Sequence, residues 1–308
     1  MMAPPLVQGL PLLGNALALR GDITAFMMTG YRRYGSVFRM RVLRKEYVIL
    51  GGIDANRLLS REGNTLFTGK GFFGGFAQQF DTDSFLPAME GQPHNHLRKI
   101  LRPGYSKEAV APRLMLRSRR YQTARAKTRE FLMQLIDLHL EQSQGGDLVD
   151  IALAARNLEG DAYTDDDLVI MGIGAYVAGM DTLANTLSFM LYALLKHPDV
   201  LQQVRAEADQ LFANGTPKLG DLRGMTALHG AAVETLRLYM IAPVTLRTAL
   251  KDFEFGGYTI GAGTDVMVAN CITHFLPEYF PDPTQFDITR NFSAVPANVF
   301  TPFTEESP

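Results

Sequence analysis

The chain is poor in the features that mark several classes of protein. It contains a single cysteine, Cys271, so no disulfide can form within it, which fits a reducing compartment. Its net charge of −2 gives no electrostatic reason to bind nucleic acid. Residues 1–13 lack a basic stretch ahead of a long apolar run, so we expect neither a signal peptide nor a membrane anchor. These absences predict a cytoplasmic protein.

Common catalytic signatures are missing as well. The six histidines show neither an HExxH motif nor a His/Cys spacing for zinc, and no G-x-S-x-G, Walker or Rossmann fingerprint occurs. Cys271 lies in the apolar stretch 268–273, which has no glycine-rich flanks. We interpret it as a small buried side chain, and we do not expect it to ligate a metal or to act as a nucleophile.

The composition is that of a globular protein with a large core. Of the 308 residues, 46% are hydrophobic and 20% are charged. The longest apolar segment, 168–195, is interrupted by Asp181, Asn185 and several hydroxyl groups, so it predicts a buried core helix rather than a membrane span. Basic residues cluster over 113–127, where a solvated helix face is a simpler explanation than an interaction surface.

Hydrophobic periodicity predicts a mainly α protein with a small β part. Residues 1–20 are expected to form an extended lead-in, and the glycine- and phenylalanine-rich stretch 69–75 a flexible loop. Helices are predicted over 23–34, 54–62, 94–101, 124–141, 164–196, 199–212 and 225–239. Strands are predicted over 37–41, 47–50, 253–260 and 264–269.

An acid and an alcohol lie side by side within the long apolar helix. Neither Asp181 nor Thr182 favours a helix intrinsically, and Gly179 removes a side chain, so a flat ligand could approach there. One interpretation is a pair that delivers protons beside a bound oxidant. The other is a helix bend in which the threonine hydroxyl bonds to the carbonyl one turn earlier. The residues alone leave both interpretations open.

A carboxylate and a guanidinium share one face of the helix predicted over 225–239. Glu234 and Arg237 are three residues apart, and the residues around them are apolar. An exposed pair would contribute only a few tenths of a kcal/mol, roughly. The apolar flanks favour a buried structural pair, for which Arg290 is a candidate third partner.

Three further basic residues are candidates for holding an anion. His94 and Arg98 are four residues apart and therefore lie on one face of a helix. The alternative is two surface residues in a polar run. Arg247 follows Pro243 in an apolar stretch. It is either a second anion contact or a side chain that extends to solvent from a strand end.

Taken in order, these motifs resemble those of the cytochrome P450 family. The similarity covers nearly the whole chain, and the order of the motifs is more specific than any one of them. They are Gly9-x-Pro11-x-x-Gly14-Asn15, Tyr34-Gly35-x-Val37-Phe38, His94-x-x-x-Arg98, Ala178-Gly179-x-Asp181-Thr182, Glu234-x-x-Arg237 and Pro283-x-x-Phe286-Asp287-Ile288-x-Arg290.

The resemblance implies a role for each candidate residue. Asp181 and Thr182 would relay protons at a haem, and Ala178 and Gly179 would flank the oxygen pocket above it. The other implied sets are a structural lock behind the haem (Glu234, Arg237, Arg290), contacts to the haem propionates (His94, Arg98, Arg247) and residues near the substrate (Phe72, Phe73, Val244, Leu246).

The chain also departs from the family pattern. In the family, a cysteine thiolate holds the haem iron in a glycine-rich loop that opens with Pro-Phe-Gly. Here Pro302-Phe303 is followed by only five residues, none of them cysteine, and 107–163 is shorter than the family segment. The resemblance therefore implies an incomplete P450 fold, a single domain over 1–308 that is shortened around 107–163 and truncated at its C-terminus.

The implied function is a haem-dependent monooxygenase that inserts one oxygen atom of O₂ into an apolar organic substrate. Such an enzyme needs haem and an electron-transfer partner, such as a ferredoxin or a flavin reductase. Without the thiolate, the strong electron push on the O–O bond is lost. The alternative is therefore a catalytically inactive helical remnant, or a module that binds apolar ligands or haem.

Overall fold

The chain divides into two compact units. The structure, a computed structural model, describes residues 3–78, 82–105, 133–134, 148–213, 215 and 217–303. Unit 1 comprises residues 1–67 and 182–307, and unit 2 comprises residues 68–181. The helix predicted over 124–141 and the basic cluster over 113–127 lie outside the described residues, apart from 133–134. The expectation of a single domain stays a prediction.

Helices dominate the described residues, which confirms the predicted fold class. The α-helices are α1 (Ala16–Gly21), α2 (Ile23–Tyr34), α3 (Ile53–Leu66), α4 (Lys70–Gln78), α5 (Gly91–Leu101), α6 (Leu148–Ala154), α7 (Asp165–Lys196), α8 (Pro198–Phe212), α9 (Thr226–Leu238) and α10 (Cys271–His274). The strands are β1 (Val37–Val42), β2 (Lys45–Gly51), β3 (Phe67–Thr68), β4 (Thr245–Ala249), β5 (Phe253–Phe255), β6 (Tyr258–Ile260) and β7 (Asp265–Ala269).

A five-stranded sheet in the order β1-β2-β7-β4-β3 forms the centre of unit 1. β1 and β2 form an antiparallel hairpin, and β2 pairs in parallel with β7, so that Val48 lies opposite Val266. Alternate residues of β2 enter two different clusters: Ile49 packs with α2, and Leu50 packs with α3. This alternation follows from the two-residue period of a strand and buries both faces of the sheet.

Helix ends in unit 1 are set by local capping. The Asp22 side chain accepts the Ala25 N–H at 2.9 Å at the start of α2, and Gly35 ends the helix with φ 84°. At α9, the Glu207 carboxylate accepts the N–H groups of Ala227 and Leu228 at 2.8 and 2.9 Å. Because Glu207 lies on α8, this contact fixes where α9 begins relative to α8.

Three predictions about local structure were wrong. The stretch 69–75 lies largely within α4 rather than a loop, because the Thr68 hydroxyl caps the Lys70 N–H at 2.9 Å. The lead-in over 1–20 includes most of α1. β4 was not predicted, since its extended form comes from antiparallel pairing with β7.

The long helix α7 forms as predicted, but it is not buried along its length. Its first turns contribute Met171 to the core of unit 2, and its last turns contribute Ala193 and Leu194 to that of unit 1. Between them, residues 178–181 are exposed, and Met190 packs into the core of unit 1. One face carries large apolar side chains that are 50–71% exposed: Met180, Leu183, Leu187, Leu191 and Leu195. Among the described helices, none is long and apolar enough to cross a membrane.

Candidate functional site

A buried ion pair lies on the inner face of α9. Arg237 Nε donates to Glu234 Oε2 at 2.8 Å, and Arg237 Nη2 donates to Glu234 Oε1 at 2.7 Å. Both side chains are 0% exposed. Their spacing of three residues on one helix allows this two-pronged geometry, which is the strongest form of an arginine–carboxylate contact.

Arg237 uses all five of its N–H groups. Besides the two bonds to Glu234, it donates to the carbonyl oxygens of His274 at 2.8 Å, Pro283 at 2.7 Å and Gln285 at 3.2 Å. A guanidinium has five donors in a fixed plane, and no other side chain could serve the same acceptors. Arg237 therefore fastens the segment 274–285 to α9.

Arg290 completes the cluster that the sequence predicted. Its Nε donates to Glu234 Oε1 at 3.0 Å, and the same oxygen accepts the Asp287 N–H at 3.1 Å. The other Arg290 donors reach the carbonyl oxygens of Pro281 at 2.7 Å and Asp282 at 3.0 Å. The structure thus brings Glu234, Arg237 and Arg290 into one network with the backbone of 281–287.

Close backbone contact makes this network possible. A Cβ built on Gly230 would overlap the carbonyl oxygen of Ile288, so only glycine lets α9 approach the segment that carries Arg290. We expect a Gly230→Ala chain to unfold about 1–3 kcal/mol more easily, because backbone atoms must move apart. Denaturant unfolding measures this loss. A Gly224→Ala chain, where a Cβ meets nothing within 4 Å, is the control, and an equal loss there would contradict the interpretation.

The acid–alcohol pair lies in the middle of α7. Ala178, Gly179 and Asp181 are exposed, whereas Thr182 is partly buried. A Cβ built on Gly179 meets no atom within 4 Å, so the helix surface is open there. One turn later, the Thr186 hydroxyl donates to the Thr182 carbonyl at 2.8 Å, the type of bond that bends a helix.

The three predicted anion contacts belong to different units. His94 and Arg98 lie in α5 of unit 2, where His94 is buried and Arg98 is partly buried. Arg247 lies in β4 of unit 1, and its Nη1 donates to the Leu246 carbonyl at 3.0 Å. Because His94 and Arg98 are four residues apart, they lie on one face of α5. A common site that includes Arg247 stays a prediction.

Cys271 begins α10 within the core of unit 1. Its side chain is 0% exposed, and burial raises the pKa of the thiol to about 12. A thiol of this kind remains protonated at neutral pH, whereas a metal ligand or nucleophile must be a thiolate. The structure therefore supports a packing role for Cys271.

Unit 2 contains a cavity of about 590 Å³ with a mixed polar and apolar lining. Neither Phe72 nor Phe73, the predicted substrate neighbours on α4, lines it. Val244 and Leu246, the other two, pack against the core of unit 1. None of the four residues that the resemblance places near the substrate therefore lines this cavity. The lining residues include Lys70, Asp83, Glu90, His96, Asp161 and Asp167.

Sequence reasoning missed His274, which joins the ion pair to the last part of the described chain. The imidazole is 0% exposed; its Nδ1 lies 3.3 Å from the Arg237 carbonyl, and its Nε2 accepts the Thr301 N–H at 3.0 Å. Burial lowers its pKa to about 4, so the ring is neutral, with the proton on Nδ1. The polar residues Asn270, Thr273 and His274 in an otherwise apolar run were the available signal.

Comparison with known proteins gives matches to one family. The family model "Cytochrome P450" matches residues 107–303. The cyclooctat-9-en-7-ol 5-monooxygenase of Streptomyces melanosporofaciens is 32% identical over 63% of this chain and 44% of its own length. The sterol 14alpha-demethylase of Mycolicibacterium vanbaalenii is 34% identical over 47% of this chain and 32% of its own length. The chain thus spans less than half the length of these two relatives.

Two further matches extend over almost the whole chain. The abscisic acid 8'-hydroxylase CYP707A1 of Solanum lycopersicum is 24% identical, over 97% of this chain and 79% of its own length. Among solved structures, the retinoic acid-bound cyanobacterial CYP120A1 is similar, with a TM-score of 0.75 over 98% of this chain and 86% of that one. Its identity of 22% makes this a likeness of fold.

Proposed function

Because the chain belongs to the cytochrome P450 family, we propose that it is a haem-dependent monooxygenase acting on an apolar organic substrate. The observation that carries the proposal is the acid–alcohol pair Asp181 and Thr182, placed two residues after a glycine whose helix surface is open. An exposed carboxylate beside a partly buried hydroxyl can pass protons from solvent to a group that lies against the helix.

The described residues fit a haem in part. The open surface at Gly179 would accommodate a flat ring, and Arg98 of the same unit carries the kind of cation that pairs with its carboxylates. The thiolate that binds iron in this family has no counterpart among the described residues, because the Cys271 thiol is buried and protonated.

Each set of residues has a separate task in the proposed enzyme. Haem, when bound, supplies the activation of dioxygen. Asp181 would exchange protons with solvent, and the neighbouring Thr182 hydroxyl would hold a proton for transfer. His94 and Arg98 on α5 would contact the propionates, and a contact from Arg247 on β4 stays a prediction. Glu234, Arg237 and Arg290 keep α9 and the segment 281–290 in a fixed arrangement.

The substrate class and the partners are part of the proposal. Two of the relatives are named for cyclooctat-9-en-7-ol and for a sterol, which supports an apolar organic compound as the substrate. The reaction consumes two electrons, for which we propose a ferredoxin or a flavin reductase as the donor. A single buried thiol suits a reducing compartment, and we propose the cytoplasm as the location.

A leucine at position 179 is expected to weaken haem binding at least about tenfold, because its side chain would occupy the surface against which the ring lies. The helix itself should gain about 1 kcal/mol from replacing glycine. Haem titration of the purified chain, followed by absorbance, measures the affinity. Gly75→Leu in α4 is the matched control, since a Cβ there also meets nothing within 4 Å.

The outcomes of this titration are distinct. Loss of affinity in the Gly179→Leu chain alone supports the proposed placement of haem on α7. Equal affinity in both variants would contradict that placement, and a chain that binds no haem at all would overturn the proposed function.

A second candidate function is haem binding without oxygen activation, favoured by the burial of Cys271. The reduced chain with haem and carbon monoxide should then lack the thiolate-type Soret shift. A shift that disappears in a Cys271→Ser chain would instead assign the thiolate to Cys271 and exclude this candidate.

A further inference from the structure

The backbone of residues 298–301 is held by buried side chains of unit 1 rather than by regular secondary structure. Asn56 Nδ2 lies 3.0 Å from the Asn298 carbonyl oxygen and 3.3 Å from Thr301 Oγ1. Asn56 is 2% exposed and lies on α3, more than 240 residues away in sequence. Asn298 has φ 67°, a left-handed conformation that asparagine tolerates better than most residues.

Thr273 makes a second attachment to the same segment. Its hydroxyl is 0% exposed and lies 2.6 Å from the Val299 carbonyl oxygen. The hydroxyl oxygen in turn lies 3.2 Å from Asn56 Nδ2. Asn270 extends the network, because its Nδ2 lies 3.4 Å from Asn56 Oδ1. Among the described residues, no buried side-chain N or O atom lacks a hydrogen-bond partner.

His274 makes the third attachment and connects it to the ion pair. Its Nε2 accepts the Thr301 N–H at 3.0 Å, while its own carbonyl oxygen accepts Arg237 Nη1 at 2.8 Å. The ring also packs on Phe300, with centroids 5.2 Å apart. A continuous hydrogen-bonded path therefore runs from Glu234 through Arg237 and His274 to Thr301.

The last of these attachments is at Thr301, and the chain leaves the core of unit 1 directly after it. Thr301 is 8% exposed, whereas Phe303 is 53% exposed. We propose that Asn56, Thr273 and His274 are positioning residues that fix the exit of the chain at Pro302-Phe303 and couple it to the Glu234–Arg237 pair. In the P450 family, a Pro-Phe pair opens the loop that carries the iron ligand, and Pro302-Phe303 matches that pair. Only this functional meaning of the exit rests on the proposed function.

The chemistry of the network favours positioning over simple core packing. Replacing both partners of a buried hydrogen bond by apolar groups of the same shape is often nearly neutral, so packing alone does not require polar side chains here. Here three polar side chains from α3 and α10 all reach the same four residues, and most of their bonds go to backbone atoms. Bonds to the backbone fix the course of the chain whatever its side chains are.

A comparison of Thr273→Val with Thr273→Ser tests the proposal. Valine has the shape of threonine but no hydroxyl, whereas serine keeps it. We expect amide hydrogen exchange in peptides covering 296–303 to be about tenfold faster in the valine chain than in the serine chain. Thr235→Val is the matched control, because the Thr235 hydroxyl is equally buried but bonds to the Ala231 carbonyl within α9 at 2.7 Å.

Amide hydrogen exchange over 226–238, which is α9, is measured in the same samples. It reports how far each variant destabilises unit 1 away from residues 296–303. Faster exchange over 296–303 in Thr273→Val alone supports the proposal. The same acceleration in Thr235→Val, or none in either chain, would overturn it.

A second pair of variants keeps the test decisive if Thr273→Val does not fold. His274→Gln retains an acceptor for the Thr301 N–H, and His274→Phe does not. The glutamine chain should keep the slow exchange over 296–303 that the phenylalanine chain loses, and equal exchange in both would reject a positioning role for His274. None of these measurements involves haem, so failure of the proposed function would leave their outcome unchanged.

Discussion

An Arg237→Met chain is expected to lose about 3–5 kcal/mol of unfolding free energy, the range found when one partner of a buried ion pair is removed. The Glu234 carboxylate would stay at 0% exposure with only Arg290 and the Asp287 N–H opposite it. Three backbone carbonyl oxygens would also lose their donor. Equilibrium denaturation in guanidinium chloride measures the change.

The control for this variant is an ion pair of similar length at the surface. Arg39 Nη1 lies 2.8 Å from Glu46 Oε1, but the two side chains are 27% and 46% exposed. An Arg39→Met chain should therefore lose no more than about 1 kcal/mol. If the two variants lost equal stability, burial of the Glu234–Arg237 pair would not be the source of its effect. A Glu234→Leu, Arg237→Met double variant should recover part of the loss.

Acid is expected to destabilise unit 1 through His274. Burial lowers the pKa of the folded imidazole from 6.5 to about 4, so the unfolded chain binds the extra proton first as the pH falls. The contribution of the neutral ring is therefore complete above the unfolded pKa and is lost as the pH falls towards the folded pKa. Between about pH 7 and pH 4 the loss amounts to about 3 kcal/mol.

Carboxylates also titrate over this range, so the wild-type curve alone would not isolate the histidine. A His274→Gln chain, which has no titrating group at this position, gives the reference. The difference between the two unfolding free energies should shrink or change sign as the pH falls from neutral. A difference that stays constant over that range would show that His274 is not a buried neutral base.

The sequence predicted the ion-pair cluster better than its surroundings. The spacing of Glu234 and Arg237, with apolar flanks, was enough to expect a buried pair, because residues three apart on a helix face the same way. The carbonyl oxygens of Pro283 and Gln285 were beyond prediction, since every residue carries such an acceptor. His274 was not predicted, because a histidine at the end of an apolar run can equally well be exposed.

The helices were also easier to predict than the segments whose form depends on distant contacts. α2, α8 and α9 were confirmed because helical periodicity is a local signal, and at α2 the Asp22 cap adds to it. β4 becomes a strand only through its pairing with β7, and α4 is a helix despite four glycines in or next to it because of the Thr68 cap. The exposed face of α7 could not be read from its composition, which predicts burial everywhere.

The pairing of β2 with β7 has a consequence for how the protein is made. Val48 emerges from the ribosome long before its partner Val266. At about 5–20 residues per second, the wait is roughly 10–40 s. During that time the hairpin of β1 and β2 presents an open hydrogen-bonding edge, and all of unit 2 is synthesised in between. Until β7 is synthesised, that edge of the nascent chain is therefore open to pairing with other strands.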